Sequence, residues 1–531
     1  MLVQMGTQAY VWNTYGIPLE HVWNTWDSVQ AADFTQVHLS AVFPPTATGP
    51  AALSMKQERW AVVIRDLFGG LGRGLGSLTG NAGGFFEPAL RLGVTGLSRA
   101  GKTVFITSLV ANLMDRARMH GLRAEAEGRI RGVWLQPQPD DTVPRFDYEA
   151  HLAALTGSNP HWPESTRSVS ELRLSFKLQP GGFFGGLSGP QVLHLDIVDY
   201  PGEWILDLPL LDKTYDDWSA EVLASVRGRE EANEFISLVE KTDPTGTLDE
   251  QQAKALAQCF TDYLGRARAA GYSDCTPGRF LLPGDLAGSP ALTFAPLSRG
   301  AVSRRGSLGR EFERRFEAYK SQVVKPFFRD HFARIDRQIV LVDALGAIHS
   351  GPRAVEDMRR SMTNILTSFR PGRTSWLGSL LGTRRVERIL FAATKADYLH
   401  HTQHLRLTAI MAAMMREAKD RADFAGANTA AMSIAAVRAT VEETVRHNGG
   451  TLDAVRGRLL ETGRQAAFHA GDLPENPAHL LVPAREGAEK WLDADYGVMH
   501  FAPDAQGIKT GDGLPHIRLD KAVEFLIGDR L

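Results

Sequence analysis

The stretch Gly96-Leu97-Ser98-Arg99-Ala100-Gly101-Lys102-Thr103 decides the fold. It has the full Gly-x-x-x-x-Gly-Lys-Thr pattern of a phosphate-binding loop. Its flanks are the ones this loop needs. Leu90-Arg91-Leu92-Gly93-Val94-Thr95 alternates like a strand, and Val104 to Met114 carries apolar residues at helical spacing. Glycines at both ends let the backbone curl until several N–H groups face one anion, and the helix start adds its positive dipole. In this reading Gly96, Ser98, Arg99, Ala100 and Gly101 wrap the phosphates, and Lys102 reaches the β- and γ-phosphates. The Thr103 hydroxyl ligates Mg2+.

Downstream, Val192-Leu193-His194-Leu195-Asp196-Ile197-Val198 reads as a strand that ends in Asp199-Tyr200-Pro201-Gly202-Glu203. A carboxylate at the tip of a strand beside a phosphate loop holds Mg2+, directly or through water, and Asp199 has that place. Gly202, three residues on, brings a backbone N–H toward the γ-phosphate, as in switch loops released when that phosphate is lost. Glu203 stands where Ras-like enzymes carry a water-orienting glutamine, and is a candidate catalytic residue with Lys102 and Thr166. An ionised carboxylate accepts from water without donating to it, so slow turnover is expected; the other reading of Glu203 is a structural residue. Thr166, in Pro163-Glu164-Ser165-Thr166-Arg167, has the position of a switch threonine that meets Mg2+ and the γ-phosphate, or of a plain turn residue. Arg99 and Arg167 are candidates for a cis arginine or for surface contacts.

A third strand, Arg388 to Ala393, leads into Thr394-Lys395-Ala396-Asp397. A Thr-Lys-x-Asp turn reads guanine: the carboxylate accepts from the ring N–H and the exocyclic amine, while the lysine stem lies across the base. Adenine presents an acceptor where guanine presents a donor, so the same aspartate rejects it. Met432 to Arg438 reads as a further strand entering a loop of small residues, with Ala436 or Val437 offering a backbone N–H to the base.

From about Met55 onward the chain resembles the bacterial YcjX-like family of P-loop proteins, relatives of Ras-like GTPases. The resemblance rests on Leu92 to Arg99, on Ile197-Val198-Asp199-Tyr200-Pro201-Gly202-Glu203-Trp204, and on Pro277-Gly278-Arg279-Phe280-Leu281-Leu282-Pro283-Gly284-Asp285. It continues in Phe391 to Asp397 and in Leu514-Pro515-His516-Ile517-Arg518-Leu519-Asp520. It implies a GTP- and GDP-binding protein with Mg2+, active in bacterial envelope stress and cytoplasmic, with a peripheral partner at the inner membrane as a further expectation. It implies no particular substrate beyond the nucleotide.

The expected fold class is α/β: a Ras-like P-loop NTPase whose mostly parallel sheet is flanked by helices. A large helical insertion and a small C-terminal α/β cap are expected to complete it. Residues 1–85 read as an N-terminal extension, with an amphipathic helix (Val62, Val63, Ile64, Leu67, Phe68) and a Gly-rich tether; residues 1–54 read as an upstream extension or a misassigned start. That helix would touch a membrane surface or dock on the nucleotide domain. Residues 86–206 and 337–445 are the two halves of the nucleotide domain, 207–336 the insertion, and 446–531 a hairpin and helix. In the insertion, Trp218, Val222, Leu223 and Val226 recur at helical spacing, and Thr247-Leu248-Asp249-Glu250 reads as a capping box. Because it follows Glu203, the insertion is the expected contact for a protein effector.

Lys+Arg 59 against Asp+Glu 61 leaves a formal charge of −2 in 531 residues, so no overall field favours nucleic acid and none is expected as a partner. The 2 cysteines, Cys259 and Cys275, have neither disulfide-framework nor metal spacing. No apolar run approaches the roughly 20 residues that span a bilayer. A nucleotide-gated scaffold with negligible hydrolysis and an ATPase remain the alternatives.

Overall fold

The computed structural model describes residues 3–5, 8–10, 87–96, 100–164, 168–179, 191–298, 304–367, 386–424, 426–447, 450–488, 497, 499–504 and 511–531. The chain divides into two compact units, Met1–Phe85 and Phe86–Leu531. In the first, β1 (Val3–Met5) and β2 (Gln8–Tyr10) pair antiparallel. The expected amphipathic helix and Gly-rich tether lie outside the described residues.

The second unit is built on a sheet that, among the described residues, has 7 strands. They are β3 (Ala89–Gly96), β4 (Ile130–Gln136), β5 (Ser170–Leu178), β6 (Gln191–Asp199), β7 (Arg337–Val342), β8 (Arg388–Ala393) and β9 (Asn428–Ser433). Their spatial order is β4-β5-β6-β3-β7-β8-β9. From β6 to β9 all pairs are parallel; β4 and β5 run antiparallel at one side. Parallel strands covered on both faces read as continuous apolar runs, and each face takes alternate residues. In β8, Leu390 and Ala392 enter the core that holds Leu92, Val94 and the helix Lys102–Met114. Ile389, Phe391 and Ala393 enter the opposite core, which holds the helices between β6 and β7.

Those helices include Tyr215–Val226, Glu250–Ala269 and Leu308–Tyr319. Trp218 stacks on Phe316 with ring centroids 5.1 Å apart and meets Phe294 edge-on at 5.5 Å. The capping box expected at Thr247 is not formed. Asp249 caps the helix instead, accepting from Gln251 N at 2.9 Å, because the Glu250 carboxylate is drawn to the buried Arg315 guanidinium at 2.6 Å. On the helix Leu308–Tyr319, Arg310 pairs with Glu313 and Arg314 with Glu311, as befits a solvated face.

Beyond β9, β10 (Thr440–His447), β11 (Gly450–Arg458) and β12 (Gln465–Phe468) form a separate antiparallel sheet. A boundary drawn after residue 445 falls inside β10. The last helix, Leu519–Ile527, buries Leu519, Val523, Leu526 and Ile527 in the same core as β3 and the helix Lys102–Met114. It therefore belongs to the sheet rather than to the hairpins that precede it. Among the described residues, no helix is long and apolar enough to cross a membrane.

Candidate functional site

Parallel strands deliver their carboxyl ends to one edge, and the loops that leave them there build the site. Gly101 closes the loop after β3 with φ of 80°, a left-handed conformation that glycine adopts without strain. The helix starts at Lys102, whose Nζ turns back to donate to Gly96 O at 3.0 Å. The Thr103 hydroxyl donates to Glu164 O at 3.4 Å. That contact brings the segment leading to Thr166 against the helix start; Thr166, Arg167, Ser98 and Arg99 themselves lie outside the described residues.

At the end of β8, Thr394 N and Oγ1 both donate to Val342 O, at 2.9 and 3.3 Å. Lys395 has φ of 60°; with Arg518 it is one of two non-glycine residues of positive φ among the described residues. Such strain persists only where the surroundings over-determine it. Here the Lys395 ammonium is held by Asp343 Oδ2 at 2.5 Å. Asp397 is 4% exposed, and its Oδ2 accepts from Ala439 N at 2.9 Å. Burial pushes its pKa up to about 6, against the opposing pull of the Ala439 N–H.

The loop after β9 closes the site. Ala396 N donates to Ile434 O at 3.0 Å, and the Ser108 hydroxyl donates to Ala436 O. The tail braces the loop from behind: Ala435 and Ile517 exchange backbone hydrogen bonds, and Arg518 Nη1 donates to Ser433 Oγ at 2.8 Å.

Ala100, Gly101, Lys102, Thr103, Thr394, Lys395, Asp397, Ala436 and Val437 all line one cavity of roughly 310 Å³. Trp162, Pro163, Phe105, Tyr398, Leu460 and His500 join them. Phe105 and Tyr398 come in beside the motif residues they follow, and Trp162 and Pro163 lead into the Thr166 segment; only tertiary packing brings in Leu460 and His500. Asp343 follows β7, whose register with β8 sets it beside Thr394; no local sequence pattern marks it as Lys395's partner.

Residues 90–531 match the model of the YcjX-like family, DUF463. The chain belongs to that family. It is 38% identical over 457 residues to the Ras-like GTPase YcjX of Escherichia coli strain K12, covering 83% of this chain and 96% of that protein. It is 35% identical over 468 residues to the protein of the same name from Shewanella oneidensis strain MR-1, covering 83% and 94%.

Four of the expected site residues among the described ones stand outside that cavity's lining, Gly96 at the end of β3 being the first. Asp199 ends β6 at 1% exposure, in register with Val94 of β3. Gly202 opens the short helix Gly202–Ile205. Glu203 lies in an adjoining cavity of roughly 180 Å³ that shares Lys395 and His500 with the first. There its Oε1 pairs with Arg268 Nη2 at 2.6 Å.

The Pro277–Asp285 stretch packs on this segment. Arg279 lies over the Trp204 ring, 3.1 Å from its centroid, and Trp204 Nε1 donates to Leu282 O at 3.1 Å. The fully buried Asp207 accepts from Gly278 N at 2.7 Å, Thr276 Oγ1 at 3.0 Å and Tyr319 Oη at 2.5 Å. A Cβ at Gly278 would come within 1.9 Å of Glu203 O, a backbone atom that cannot rotate away. Gly278→Ala is expected to displace the Gly202–Ile205 turn and cost about 1–3 kcal/mol, the usual range for overpacking. Chemical denaturation measures the loss and Trp204 fluorescence the displacement; wild-type stability and emission would show that the two segments are not in contact.

Proposed function

We propose that this chain binds GTP and GDP with Mg2+, hydrolyses GTP slowly, and works as a conformational switch. The observation that carries the reading is the shared cavity. Gly101–Thr103, the residues Thr394, Lys395 and Asp397, and Ala435–Val437 are far apart in sequence yet line one space, which suits phosphate, base and base-edge contacts. The names of the two relatives support it. In this reading Gly96, Ser98, Arg99, Ala100, Gly101 and Lys102 hold the phosphates, and Asp397 and Lys395 the guanine. Thr394 ties the turn to β7, and Ala436 or Val437 meets the base edge. Thr103, Asp199 and Thr166 supply the metal's ligands. All three offer oxygen, the donor that Mg2+ prefers, and the bound ion would offset charge on the β- and γ-phosphates.

The reading extends to a role in bacterial stress response at the cytoplasmic side, supported by the family resemblance alone, and to an effector on the helices between β6 and β7, supported by the Arg268, Gly278 and Arg279 contacts with Glu203–Asp207.

Lys102→Ala is expected to abolish measurable GTP binding, and Asp397→Asn to shift preference from guanine to xanthine nucleotides. The Asp397 carboxylate must be ionised to accept both guanine donors, and burial holds its pKa near 6. Guanine affinity therefore falls as pH drops through about 6, by up to about tenfold per unit, because binding must then expel a proton. Asp397→Asn lacks this limb and retains only the titration of the phosphates. Calorimetry with GTP, XTP and ATP from pH 5 to 8 reads all three effects; equal affinity for ATP would overturn guanine selectivity.

Glu203 is engaged by Arg268 rather than directed at the first cavity, which favours slow turnover. Intrinsic hydrolysis is expected near the unassisted Ras rate, about 10⁻⁴–10⁻³ s⁻¹. Single-turnover assays with wild type and Glu203→Gln check it. A wild-type rate above about 1 s⁻¹ would exclude the slow switch, and unmeasurable hydrolysis in both would favour the scaffold reading.

A further inference from the structure

Two histidines just beyond the Lys395–Asp397 turn belong to a cluster that nucleotide binding does not use. His400 has an extended backbone, with φ −63° and ψ 146°, and His401 opens the short turn His401–Gln403. Successive side chains of a helix point apart. Here the two rings lie 4.3 Å apart between centroids. Glu442, on β10, reaches in between. Its Oε2 lies 2.7 Å from His401 Nδ1 and 3.8 Å from His400 Nε2. The far edge of the His400 ring is also engaged: Nδ1 lies 3.0 Å from Thr402 Oγ1 and 3.4 Å from Asp453 Oδ2, on β11.

We propose that His400, His401 and Glu442 form a site for a divalent transition-metal ion of the Zn2+ class, with Asp453 orienting His400. An ion pair needs only one ring nitrogen against a carboxylate oxygen. Here two, from successive residues, converge on the same oxygen, and the donor atoms all lie within 4.8 Å of one another. Tetrahedral ligands at about 2.0–2.2 Å from Zn2+ stand roughly 3.3–3.5 Å apart, so the present spacings need only side-chain adjustment. A carboxylate on the distal nitrogen of a ligating histidine fixes its tautomer and raises its basicity, the place Asp453 has. Arg438 Nη2, 3.5 Å from Glu442 Oε1, engages the other carboxylate oxygen and leaves Oε2 for the ion. His401, 64% exposed, leaves room for water as a fourth ligand.

Two imidazoles select Zn2+, Co2+ or Ni2+ over Mg2+, so this site is chemically separate from any nucleotide-bound magnesium. It would cross-link the loop after β8 to β10 and β11. The start of β10 also holds Asp397, through Ala439 N and the Thr440 hydroxyl, which donates to Asp397 O. The inference itself does not rest on the nucleotide reading.

The test uses the full chain without an affinity tag, stripped with chelator and kept in excess Mg2+ without nucleotide. Calorimetry with Zn2+ is expected to show one equivalent bound with micromolar affinity, and Co2+ a visible absorption of low coordination number. His401→Ala and Glu442→Gln should each lose that equivalent while melting, metal-free, like wild type. Asp453→Asn should keep it at about 10–100-fold weaker affinity. Absence of saturable Zn2+ binding in wild type would overturn the proposal. So would an unchanged stoichiometry and affinity in both His401→Ala and Glu442→Gln.

Discussion

Parallel pairing through the middle of the sheet is the constraint from which the site follows. Because β6, β3, β7, β8 and β9 run the same way, Asp199, Gly96, Val342, Ala393 and Ser433 finish along one edge. Their register is set by burial on both faces. Alternate residues of β7 and β8 belong to opposite cores, and a slip of one residue would exchange every one of them. With that register fixed, Asp343 falls beside Thr394. An acid is then within reach of the Lys395 ammonium, and the left-handed backbone of Lys395 can be held.

A second constraint joins the edge to the helices between β6 and β7. A buried carboxylate is costly unless its lone pairs find donors. Asp207 finds them in Gly278, Thr276 and Tyr319, contributed by two separate segments. Even so, burial holds its pKa up to about 6. Moving the Gly202–Ile205 turn away from Gly278 would strip those donors and unstack Arg279 from Trp204. The segment after Asp199 and the helical region are therefore mechanically one piece. A displacement at either end is felt at the other.

The elements closest to the motifs were the most legible in sequence. The alternation of Leu90 to Thr95 and the helical spacing after Lys102 correspond to Ala89–Gly96 and Lys102–Met114. Local pattern sufficed there because glycine, strand and helix signals agree. It misled at Thr247: the local pattern marks a cap, but a distant guanidinium, Arg315, takes the acid that would complete it. At the tail it gave the helix but not its place. The amphipathic run Leu519–Ile527 shows that the helix buries one face, while only the fold shows that this face lies on the sheet's own core.

The sequence by itself determined the phosphate-loop pattern at Gly96–Thr103, the order of the strands along the chain and the residue types of the Thr394–Asp397 turn. These depend on contacts a few residues apart, where spacing and conformation are one fact. The tertiary structure decided what depends on distant partners. It brought the helix start after the phosphate loop, the Thr394 turn and the Ala436 loop to one cavity, gave Lys395 to Asp343 and Glu203 to Arg268, and set His400 and His401 against Glu442. A side chain's partner across the chain is chosen by packing and register, and neither is written in its neighbours.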